Sequence, residues 1–242
     1  MKTMKKTFLA VCSACLLMSA VASAAAYSNF PNALNSDLKP FARDLGGLLG
    51  SGSNQTARAL GFSGFDIGVK SVMQFKPENK NTILKKNNPF GLGLIQAEIG
   101  MPYRIDGFIR AGAYEGLTVA GGGLRYGIRK VSDTPYYLQV MLIAMGDLAA
   151  HKYFYAAHFN SSFMLSVNVP HVAPYFGIGF DNTKLTAQAP NTDPSLMGKT
   201  VTVFEPRYTF GLRAKLNLGY LAGGVTYTHG RTLVNAGAGL RF

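Results

Sequence analysis

NAGAGLRF, Asn235–Phe242, carries the chain to its last residue in a strand-like alternation. Read backward, Leu240, Ala238, Ala236 and Val234 are apolar or small, and Arg241, Gly239, Gly237 and Asn235 stand between them. A period of two marks a β-strand with one apolar face. Soluble domains usually end in loosely held polar residues, whereas this stretch keeps its pattern up to a terminal aromatic side chain.

The same period recurs upstream. GFDIGVKSVMQF, residues 64–75, puts Phe65, Ile67, Val69, Met73 and Phe75 on one face and Asp66, Lys70 and Gln74 on the other. Lipid outside and water inside demand that division. Further strands fit at about 90–101, 104–115, 117–130, 135–147, 153–168, 172–182, 200–216, 219–229 and 232–242, about ten in all, with eight or twelve also compatible with the pattern. An even count returns both ends of the barrel to the same side. The connections then sort by length. KPENKNTILKKNN and NTKLTAQAPNTDPSLMGK fall on one side, and MPYR, VSDT, VPH and a turn near Asn217 on the other. Long outer loops with short periplasmic turns are the expected asymmetry.

The opening residues are of another kind. Lys2, Lys5 and Lys6 precede an apolar run from Phe8 to Val21 and then ASAAA, which reads as a cleaved signal peptide over 1–26. Both cysteines, Cys12 and Cys15, lie within it, so the exported chain has no disulfide scaffold. Without the three leader lysines the formal charge of +12 falls to +9. From Ser36 to Gly50, Leu38, Phe41, Leu45, Leu48 and Leu49 recur at helical spacing. This predicts a short amphipathic helix, capped by Ser36 or Asp37, with Pro40 in its first turn and Gly46 and Gly47 weakening it. Residues 27–60 are thus expected as a periplasmic helix and linker, either covering the mouth of a barrel over 61–242, meeting a partner, or plugging the lumen.

The terminal strand, with Leu240 and Phe242, resembles the C-terminal insertion signal of bacterial outer-membrane β-barrel proteins. The chain's size is similar to that of small porin-like or OmpW-like barrels. The resemblance implies an all-β transmembrane antiparallel up-and-down barrel in the outer membrane of a Gram-negative bacterium. It also implies partners in outer-membrane lipid, lipopolysaccharide and the barrel-assembly machinery, which would read the exposed terminal strand as an edge for pairing.

Alternation turns Asp66, Lys70, Glu98, Arg104, Asp106, Arg110, Arg125, Arg129, His158, Asp181, Glu205, Arg207, Arg213, Lys215 and Arg241 inward. Arg and Lys outnumber Asp and Glu in this set. If water enters, such a lumen favours anions, which gives a narrow channel passing small solutes with a mild anion preference. In a barrel this small the same charges can instead neutralise one another in a packed interior. The alternative is therefore a closed structural or surface-interaction barrel, whose loop lysines Lys76, Lys80, Lys85 and Lys86 would meet lipopolysaccharide or a partner. Outward, Tyr103, Tyr126, Tyr136, Phe154, Tyr155, Phe204 and Tyr208 are expected in aromatic girdles.

Other classes fit less well. His158 and Ser162 share a strand face but stand about 13 Å apart along it, too far for direct activation. His151, His171 and His229 lie at connections without metal-site spacing, and Gly121–Gly123 precedes no helix that could cradle phosphate. No enzyme, metal or cofactor is expected. The basic residues, scattered along many strands, do not make a nucleic-acid footprint.

Overall fold

A computed structural model of the chain describes residues 26–86, 88–188 and 193–242. The leader expected over 1–26 lies outside the described residues apart from Ala26. Ten strands form: β1 (Phe65–Gln74), β2 (Phe90–Gly100), β3 (Ile105–Tyr114), β4 (Leu117–Gly127), β5 (Leu138–His151), β6 (Phe154–Val167), β7 (Val172–Ala187), β8 (Thr200–Lys215), β9 (Gly219–Thr228) and β10 (Arg231–Arg241). Each pairs antiparallel with its sequence neighbours, and β10 pairs with β1 to close a barrel.

The seam runs from Asp66 opposite Arg241 to Gln74 opposite Leu233. Past it, Phe242 N donates to Phe65 O at 2.8 Å and Phe65 N to Phe242 O at 3.0 Å. The terminal stretch is therefore a wall strand, with Leu240 opposite Ile67. Closure leaves no strand edge with unpaired N–H and C=O groups along the seam.

Side chains alternate as the period requires. Ile67, Ile95, Ile109, Leu142, Phe176 and Phe210 are exposed on the outer wall, while Asp66, Lys70, Gln96, Arg110 and Arg125 are buried inside. Soluble monomers rarely expose contiguous apolar surface beyond a few hundred Å². Tyr103, Tyr126, Tyr136, Tyr155, Phe204 and Tyr208 are also exposed. Phe154, expected among them, is fully buried. It neighbours Tyr155 and so takes the opposite face, where its ring meets Phe30 and Phe41 at centroid distances of 5.2 and 5.0 Å. Strand β7 continues to Ala187 instead of ending near residue 182, because Thr183, Leu185 and Ala187 keep the inward alternation.

Helix α1 (Asn35–Gly50) is also placed differently from expectation. Leu34 is its N-cap, and the Asp37 carboxylate accepts from Leu34 N at 2.8 Å. Pro40 accordingly sits in the second turn. Its missing N–H leaves the Ser36 carbonyl without an intrahelical donor, at an exposed residue. Of the places open to the helix and linker, the structure takes the lumen, and the segment lies within the barrel. Leu38, Phe41, Leu45, Leu48 and Leu49 are all buried to 1% exposure or less. Each such side chain contributes about 1.5–3 kcal/mol when taken from water, and the lumen encloses them.

Candidate functional site: the lumen and its plug

The interior has two zones. Toward the end with the long loops, the wall turns Phe90, Leu92, Leu94, Leu117, Val119, Phe154, Leu185, Val201, Val203 and Leu233 inward, and these form one apolar cluster with α1. Tyr27, Phe30, Phe41 and Phe154 close the top, with ring centroids 5.0–5.9 Å apart. Burial, with Glu115 and Tyr114 adding to it, pushes the Tyr27 phenol up from its ordinary pKa. Asp44 on α1 is fully buried yet well served. It accepts from Gln74 at 2.6 Å, Glu78 N at 2.8 Å and Asn81 at 2.7 Å, and His229 Nε2 lies 3.0 Å away. Arg43 reaches Glu205 at 2.7 Å. These contacts tie the helix to the first long loop and to the wall.

Below the helix, residues 51–60 run on without helix or strand and leave at the mouth where β1 begins. Here the wall is mixed: Met141, Ile143, Met164 and Tyr175 pack on Ala57 and Ala59 of the segment, and the rest of the lining is polar and charged. Arg110 and Asp147 bond at 2.7 and 2.5 Å with side chains wholly buried. Arg125 holds Glu98 at 2.5 and 3.0 Å, and Arg207 holds Asp181 at 2.8 and 3.1 Å. Lys70 donates to Gln55 and to Tyr220, each at 2.8 Å, and Tyr220 donates to Asp66 at 3.0 Å.

The arginines also serve the plug. Arg207 donates to the Gly47 carbonyl at 3.2 Å and to Ser51 Oγ at 2.5 Å, and Arg110 donates to the Leu49 carbonyl. The last carbonyls of a helix lack internal donors and form the negative end of its dipole. Two wall arginines therefore cap α1 from outside its own sequence. Gly46 and Gly47 gain a role beyond weakening the helix. A Cβ at Gly46 would stand 2.2 Å from Thr183 Oγ1, so the small residue lets the helix backbone reach the wall. Gly52 turns the chain out of the helix with φ 72, a left-handed conformation that favours glycine.

The extended segment takes its partners from the wall as well. Ser53 O accepts from Arg125 and Gln96, each at 2.9 Å. Ala57 N donates to Ser166 at 3.0 Å, Leu60 N to Asp106 at 2.9 Å, and Arg241 to the Ala59 carbonyl at 3.1 Å.

The inward residues read from the sequence thus divide. Asp66, Lys70, Glu98, Asp106, Arg110, Arg125, His158, Asp181, Arg207 and Arg213 are buried in the lumen. Glu205 is half-buried beside the helix. Arg104 and Arg241 are also half-buried, and Arg129 and Lys215 stand exposed at the rim, where Arg129 donates to the Leu138 carbonyl at 3.0 Å. Asp147 was not in that set. A carboxylate following Met141, Ile143 and Met145 at alternate positions of an apolar strand is the signal that finds it. His158, His151 and His229 are each engaged with neighbours inside, and Ser162 donates to Asn160 rather than to a histidine. No group of three His, Cys, Asp or Glu among the described residues could hold a metal ion.

A closed antiparallel barrel with an apolar outer belt and a charge-bearing interior defines the transmembrane β-barrel class. No family model and no curated protein matches the chain. Among solved structures it is similar to Ail, the attachment invasion locus protein of Yersinia pestis in complex with the heparin analogue sucrose octasulfate, at 13% identity over 75% of this chain and 99% of that one, TM-score 0.35. Neisserial surface protein A gives 11% identity over 73% and 95%, TM-score 0.34. The transport unit of the autotransporter AIDA-I from Escherichia coli gives 12% over 87% and 99%, TM-score 0.36. At these scores the likenesses carry no argument about activity, and the architecture stands on its own strand pairing.

Proposed function

We propose that this protein is a closed outer-membrane barrel that works from its surface and not as an open pore. The observation that carries the reading is the occupation of the lumen from mouth to mouth by residues 27–60. The buried basic residues, which suggest an anion path, are engaged by carbonyls and side chains of the plug and by Asp, Glu and Tyr side chains of the wall. The long-loop end faces outward in this reading. It exposes Lys39, Lys76, Lys80, Lys85, Lys86, Lys152, Lys184 and Lys199, a basic rim suited to the phosphates of an anionic glycolipid such as lipopolysaccharide. Planar-bilayer recording of the full chain, with folding checked by heat-modifiable gel mobility, tests the closed state. The expected outcome is insertion without steady conductance. A steady anion-selective current, reduced by neutralising Arg207 or Arg213, would overturn this reading in favour of a porin-like channel for small solutes.

A further inference from the structure

The mouth where β1 begins holds a cavity of about 240 Å³ around the departing plug segment. Arg58, Arg213, Lys215 and Arg241 line it, with Asp133 as the one carboxylate. These cations are unequally neutralised. Arg58 makes a fork to Asp133 with both bonds at 2.9 Å, out where Asp133 is 78% exposed. Arg213 reaches Asp66 through Nη2 at 3.3 Å and lies 3.5 Å from the centre of the Tyr220 ring. Lys215 donates to the Asn168 side chain and to the Val169 carbonyl, and Arg241 donates to the carbonyls of Arg58 and Ala59. The last two cations therefore rest on neutral acceptors, and no carboxylate among the described residues pairs with either.

A concave site with excess positive charge and low-dielectric walls concentrates anions. Guanidinium forks match the geometry of phosphate oxygens, and a lysine adds a point charge. We propose that this vestibule binds a small phosphate-class oxyanion, with Lys215 and Arg241 supplying the unneutralised charge and Arg58 and Arg213, each held by a carboxylate, adding flanking positive charge. The cavity exceeds what a single phosphate needs, so a diphosphate or a phosphate ester suits it better than inorganic phosphate. The site lies at the mouth of the lumen, where the packed interior opens, and does not depend on whether the barrel conducts.

Isothermal titration of the full chain in detergent at low salt, with inorganic pyrophosphate as the probe, tests this. Saturable one-site binding is expected, weakened about tenfold by Lys215→Gln, the loss of one charge-assisted hydrogen bond. Lys215 is exposed, so the variant leaves the packed interior intact; Arg58→Gln, also at the rim, is the second variant. Absence of saturable binding to protein shown to be folded would overturn the proposal, and so would unchanged affinity in Lys215→Gln.

Discussion

The two zones of the lumen face the same plug and answer it in opposite ways. Around α1 the wall is mostly apolar; around residues 51–60 polar and charged side chains line it, apart from the patch of Met141, Ile143, Met164 and Tyr175 against Ala57 and Ala59. The difference lies in the backbone each must receive. A helix satisfies most of its own N–H and C=O groups, so it can be enclosed by Leu, Val and Phe. A segment without regular structure carries unpaired backbone groups, and a buried group left without a partner costs about 1–3 kcal/mol. The wall must therefore supply Arg125, Gln96, Ser166, Asp106 and Arg241. Where helix gives way to extended chain, Arg110 and Arg207 meet its last carbonyls.

The contrast is testable by substitution in each zone, with urea unfolding in lipid vesicles as the measurement. Arg110→Ala strands Asp147 as a buried charge and is expected to cost about 3–5 kcal/mol. The double variant Arg110→Met with Asp147→Leu should recover most of that loss, and failure to recover would mean that the Leu49 cap, not the ion pair, carries the effect. Leu45→Ala, in the apolar zone, is expected to cost about 3 kcal/mol through the cavity it leaves. A negligible loss there would show α1 to be loosely held and would erase the distinction. Gln96→Leu removes a donor from Ser53 O in the polar zone while keeping similar bulk, with an expected cost of about 1–2 kcal/mol. Stabilisation by that change would mean the extended segment has no need of a polar wall.

The strands were legible because each meets lipid on one face, and exposed Ile, Leu and Phe at every second position leave a period that survives without knowledge of the partners. The plug was legible only as one of several places for the helix, without its contacts. Its contacts join residues far apart, as with Arg207 and Gly47, separated by 160 positions. The rule that a barrel interior is polar also fails where the barrel encloses a helix of its own. Phe90, Leu92 and Leu94 turn inward while Ile95 turns out, so that strand is apolar on both faces near the long loop. That run, beside an amphipathic helix lacking any other cover, was the available sign. Phe154 breaks the same rule: an aromatic near a strand end fits a girdle, yet its ring turns inward onto the plug. The candidate site was legible as an inventory of inward charges, but not in its use: which arginines meet carboxylates and which also cap a helix depends on depth along the barrel axis.

The way the plug joins the wall also fixes a direction of travel. Only residues 61–64 lie between Leu60 and the first residue of β1, a leash that reaches no more than about 14 Å when fully extended. Helix α1 alone, with 16 residues, is about 24 Å long. Drawn toward the long-loop end, the stopper runs out of slack with part of its length still inside. The one path that empties the barrel leads out past Arg58, Lys215 and Arg241, so any machine or partner that clears this lumen must pull from the side on which β1 begins.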